Sequence, residues 1–103
     1  MNTFVKIISS GHMAPGKLAD AELHFTGGEL DGLRLIGFAV WARKDGTGQH
    51  VTVPARQFIA NGQKRSFLLL RAIDDHVALD RVREFVLQAY RAHAQEMEVI
   101  QSK

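Results

Sequence analysis

Cysteine is absent from the 103 residues, which excludes disulfide scaffolds and thiolate-held metal sites. No run of about 18 apolar residues occurs, so no membrane-spanning helix is encoded. The N-terminal stretch Thr3-Phe4-Val5-Lys6-Ile7-Ile8 is too short for a signal-peptide core. It also lacks a preceding basic cluster and a small-residue cleavage site, so a cytoplasmic protein is expected. No glycine-rich phosphate loop is present, because the glycines punctuate turns and none opens a helix. Internal repeats and low-complexity tracts are missing as well.

Ligand spacing for a metal is also lacking. His12, His24, His50, His76 and His93 are scattered along the chain, whereas zinc needs three or four converging ligands. A metal-enzyme reading would need His24 and His50 to face each other on neighbouring strands and meet an acidic residue; solvated histidines are the plainer reading. Asp74-Asp75-His76 resembles catalytic furniture, but a helix N-terminus explains it, since a carboxylate there meets unpaired backbone N–H groups. Ser9-Ser10 has no partnered base. A chain of 11.5 kDa, 46% apolar and 23% charged, is one globular domain spanning residues 1–103. It builds one modest core and no deep walled pocket. Catalysis, a cofactor and a small-molecule substrate are therefore not expected.

The patterning predicts strands followed by a helix. Residues 3–9 are short and rich in β-branched and aromatic side chains, which suits a strand. Residues 18–25 alternate, with Ala19, Ala21, Leu23 and Phe25 on one face and Asp20, Glu22 and His24 on the other. Gly27-Gly28 breaks that strand. Residues 33–42 are apolar nearly throughout and predict a strand covered on both faces, with Ile36, Phe38 and Val40 opposed to Leu35, Ala39 and Trp41. Asp45-Gly46 supplies a hairpin turn, and residues 50–53 return as its partner strand up to Pro54. Asn61-Gly62 is a second turn of that kind, between the short stretch 57–60 and a strand over 65–71. From about Val77 to about Glu96, Leu79, Val82, Val86, Ala89 and Tyr90, with Phe85 beside them, form one helical stripe. The tail from Val99 is expected to fray. The expected fold is α+β: an antiparallel meander of about five strands with one C-terminal helix packed on the sheet. One helix leaves the second face of the central strand uncovered, which predicts a homodimer.

Charge is uneven. Residues 1–40 carry a net −1 and residues 72–103 a net −2, whereas residues 41–71 carry +5. The six cations of that middle third are Arg43, Lys44, Arg56, Lys64, Arg65 and Arg71, against Asp45 alone. Such groups neutralise phosphates and release counterions. If both turns fold to one sheet edge, Arg43, Lys44, Lys64 and Arg65 form one patch. The plain alternative is a solvated edge whose charges prevent aggregation. Trp41, beside Arg43-Lys44, is a candidate for stacking on an unpaired base, with core or dimer interface as the alternative. Phe58, beside Arg56, poses the same question.

The stretch Val51-Thr52-Val53-Pro54-Ala55-Arg56-Gln57 resembles the Val-x-Met-Pro-Ser-Lys/Arg stretch of the stage V sporulation protein G (SpoVG) family. A glycine-containing turn, Asn61-Gly62-Gln63-Lys64-Arg65, follows in both. Both also end in a helix with Val-Leu-x-x-Tyr, here Val86-Leu87-Gln88-Ala89-Tyr90. The likeness covers roughly residues 30–92. It implies a small dimeric bacterial regulator that binds DNA and RNA with little sequence preference, using Arg56 and, next, Lys64 and Arg65. Here a single Arg56 followed by Gln57 and Phe58 replaces the family's paired basic residues. Leu70-Arg71 stands near the family's His-Pro pair, and the turn around Asp45-Gly46 is longer. A protein-interaction module without nucleic acid is the other class the sequence allows.

Overall fold

The computed structural model describes residues 2–9 and 14–101, with side chains described up to Met97; His12 and Ser10 lie outside the described residues. Six strands precede one helix: β1 (Asn2–Ile8), β2 (Lys17–Thr26), β3 (Arg34–Ala42), β4 (Gln49–Thr52), β5 (Ala55–Ala60), β6 (Gln63–Leu68) and α1 (Val77–Gln101). The class is α+β. β1 to β4 form an antiparallel meander in chain order, and β5 and β6 pair only with each other. The expected five-stranded sheet is thus a four-stranded sheet plus a separate hairpin.

Pro54 explains that division. It has no backbone N–H to donate, so the β3–β4 ladder ends at Thr52. Pro54 is buried, and its carbonyl accepts from the Leu69 N–H at 2.9 Å, tying the base of the hairpin together. Leu68 and Leu70 return the chain to the core.

The core lies between one sheet face and α1. Ala21, Leu23, Phe38, Val40, Val51 and Val53 from the strands meet Leu79 and Val86 of the helix. The alternation read in β2 holds for Ala19, Ala21 and Leu23, which are buried. In β3 it does not hold throughout. Between the pairs Ala21↔Phe38 and Leu23↔Leu35 the register slips by one residue, a bulge at Ile36-Gly37. Gly37 has φ +109°, a conformation side-chain-bearing residues rarely adopt. The bulge turns Leu35 towards the face of Phe38 and Val40 and leaves Ile36 60% exposed. The central strand is therefore not covered on both faces as expected, because Ile36 lies open to solvent.

Asp75 starts the helix: its carboxylate accepts from the Val77 N–H at 3.1 Å. The stripe of Leu79, Val82, Val86 and Tyr90 faces the sheet, whereas Phe85 is exposed. The helix continues to Gln101, past the expected end near Glu96 and into the tail expected to fray from Val99, whose last two residues lie outside the described residues. Among the described residues no helix is long and apolar enough to cross a membrane. The radius of gyration is 15.4 Å, against about 13 Å for a compact chain of this length; a long helix and a hairpin outside the sheet account for the difference.

Candidate nucleic-acid interface

The β5–β6 hairpin gathers part of the predicted basic set. Asn61 (φ +52°) and Gly62 (φ +76°) both take left-handed conformations, the geometry of a two-residue turn matched to strand twist. That turn closes the pair Ala60↔Gln63 and so fixes the whole register. Arg56 lies opposite Phe67, and Phe58 opposite Arg65. Because cross-strand partners share a face and side chains alternate, these four occupy one face of the ribbon. Lys64, opposite Ile59, is on the other face.

The two phenyl rings meet edge to face at 6.4 Å and 85°, yet Phe58 is 41% and Phe67 45% exposed. With Arg56 they line a shallow groove of about 400 Å³. Among the described residues neither Arg56 nor Arg65 has an acidic partner. From Gly46 to Ile73 the sequence contains no acidic residue. The hairpin is thus a cationic, partly aromatic ribbon with both faces exposed to solvent.

The remaining cations are elsewhere. Arg43 and Lys44 belong to the β3–β4 turn of the main sheet, separated from Asn61-Gly62 by the length of β4 and β5. The two turns belong to different sheets and so do not share one sheet edge. Arg43 lines a cleft with His50, Asp80, Arg83 and Glu84, and Arg71 lines one with Asp74, Asp75 and Arg81. In both clefts carboxylates compete with an incoming anion. Trp41 is half-buried on the outer sheet face. Its indole N–H donates to Thr52 Oγ1 at 3.0 Å, and the Lys17 ammonium lies 5.8 Å from its ring centroid. It belongs to the main sheet, whereas Phe58 belongs to the separate hairpin. Phe67 is the residue that sequence reasoning passed over. The two-residue turn was the signal, since it places Phe67 across from Arg56.

No family model, curated protein or solved structure matches this chain.

The outer face of the main sheet holds a second polar cluster. Glu22 is 9% exposed. Its Oε1 accepts from His24 Nε2 at 2.9 Å and lies 3.4 Å from Arg34 Nη1, and Lys6 is its cross-strand neighbour. His24 and His50 do not face each other: β3 lies between their strands, and they pair with its opposite ends, at Arg34 and Trp41. Among the described residues no group of three metal-ligating side chains converges.

The His24 hydrogen bond, then the charges of Arg34 and Lys6, hold the Glu22 carboxyl below its ordinary value of 4.5 despite its desolvation. Asp45 is lowered likewise, by the Thr47 hydroxyl and N–H. A carboxyl depressed in the folded state stabilises above its unfolded value and loses that contribution as pH falls through the folded one. Melting temperature should therefore drop as pH falls below about 4.5. Glu22→Gln should flatten that acid limb; an identical limb in the variant would remove Glu22 as its source.

Proposed function

We propose that this chain is a non-catalytic, dimeric nucleic-acid-binding protein and that the β5–β6 hairpin is its binding element. One observation carries the reading. Arg56 and Arg65, free of acidic partners among the described residues, share an exposed ribbon face with two half-exposed aromatic rings. Guanidinium groups so placed can contact phosphates, giving salt-dependent and sequence-tolerant affinity. The reading also agrees with what the SpoVG-like motif implies for Arg56 and Arg65.

The dimer rests on exposed apolar surface. Ile59 is 73% and Ile73 96% exposed, and Leu69 between them is exposed too. These lie on the hairpin's other face and on its connection to α1, where a second copy would cover them. Light scattering should return twice the chain mass of 11.5 kDa. The same exposed residues favour a second reading, a protein-interaction module without nucleic acid.

Salt separates the two. Binding of labelled DNA and RNA should weaken by at least tenfold between about 50 and 200 mM salt. Absence of binding at the lower concentration would remove the nucleic-acid reading and leave the protein-interaction one.

A further inference from the structure

We infer that the hairpin selects single strands, by stacking unpaired bases on Phe58 and Phe67 between the guanidinium groups of Arg56 and Arg65. This rests on the nucleic-acid reading above and adds the class of nucleic acid. The register makes a checkerboard: Arg56 beside Phe67 on one rung, Phe58 beside Arg65 two residues on. Each ring thus has a cation within one strand spacing, and the edge-to-face packing leaves ring surface open to solvent.

A phenyl ring carries no hydrogen-bonding group. On a base edge it can meet only the thymine methyl, and in a duplex the faces of the bases are already stacked on each other, so reaching them costs unstacking. Phosphate contacts alone do not distinguish one strand from two. What Phe58 and Phe67 can add is contact with base faces, which unpaired nucleotides offer without the cost of unstacking a duplex. The acid-free run from Gly46 to Ile73 keeps that face attractive to the backbone of the same strand.

The test uses the full chain and fluorescence anisotropy with labelled oligothymidine and a mixed-sequence duplex of equal length. The single strand should bind at least tenfold more tightly. Phe58→Leu with Phe67→Leu, which keeps apolar bulk, should lose roughly tenfold or more of single-strand affinity and leave duplex binding unchanged. Phe58→Tyr with Phe67→Tyr should retain the preference. Equal affinity for both forms, an unaffected leucine variant, or equal loss in the leucine and tyrosine variants would each overturn stacking while the nucleic-acid reading stands. Salt-sensitive binding of neither form would overturn both.

Discussion

Reversing two charges, in an Arg56→Glu, Arg65→Glu variant, should lower nucleic-acid affinity by about 100-fold or more in low salt and leave the melting temperature within a few degrees. Both side chains are exposed, and among the described residues the one side-chain hydrogen bond either makes is a long one, Arg65 Nη2 donating to Gln63 Oε1 at 3.5 Å. Exposed substitutions of this kind usually change stability by about 0.5 kcal/mol or less. Each charge-assisted hydrogen bond to phosphate contributes roughly 1.5–3 kcal/mol, and reversal adds repulsion. Two together give at least ~3 kcal/mol, hence the hundredfold loss. The slope of log affinity against log salt should also become shallower, by about 2. Lys64→Glu is the informative control. It alters the same hairpin by the same charge but acts from the other face, so its effect should be much smaller. Equal losses from Lys64 and from Arg65 singly would show that net charge matters and the ribbon face does not. Unchanged binding in the folded double variant would withdraw the hairpin as the binding element.

Gly37→Ala should destabilise the fold by roughly 3 kcal/mol, lowering the melting temperature by well over 10 °C. Two costs add. The backbone at φ +109° disfavours any residue with a Cβ. A Cβ there would also lie 3.0 Å from Pro54 Cβ and 3.2 Å from Pro54 Cα, tighter than nine in ten contacts of a Cβ, so Pro54 would have to shift by a few tenths of an ångström. Pro54 is buried and cannot withdraw cheaply. Relaxing the strain by undoing the bulge is worse, because a one-residue slip exchanges Ile36 and Leu35 between the two sheet faces. Gly46→Ala is the comparison: φ is +77° and nothing lies within 4 Å of the added Cβ, so only the left-handed backbone cost of about 1 kcal/mol remains. Similar melting temperatures for the two variants would show that the contact with Pro54 is not what requires glycine.

The legible parts of the fold were those set by local chemistry. Alternation from Ala19 to Leu23, the glycine turns at Asp45-Gly46 and Asn61-Gly62, and the stripe on α1 each depend on residues a few positions apart. What escaped depends on meetings across the chain. The bulge at Gly37 answers to Pro54, seventeen positions later. The hairpin leaves the sheet because of where Pro54 stands relative to Thr52 and Leu69. Glu22 looked like one of several wet charges until Arg34 and His24 closed on it. Among the candidate site residues, Arg56, Arg65 and Phe58 were identifiable as types near a turn. Their shared face, the exclusion of Lys64 and the addition of Phe67 follow only from the register that the turn imposes.

The separation of the hairpin from the four-stranded sheet also governs how the molecule opens. A lone two-stranded ribbon is marginal in water, and this one can lose its cross-strand bonds between Arg56 and Phe67 while Leu68 stays packed against the core. Amide protons over residues 56–67 then exchange by local opening, while those of β2 and β3 wait for global unfolding. A ligand held only by the closed ribbon adds its free energy to the local step and, by linkage, to global unfolding as well. Its measured affinity is the intrinsic affinity scaled by the closed fraction. Occupancy of the hairpin would thus slow exchange in that short stretch by the bound fraction, and the amides that wait for global unfolding would gain protection by the same increment.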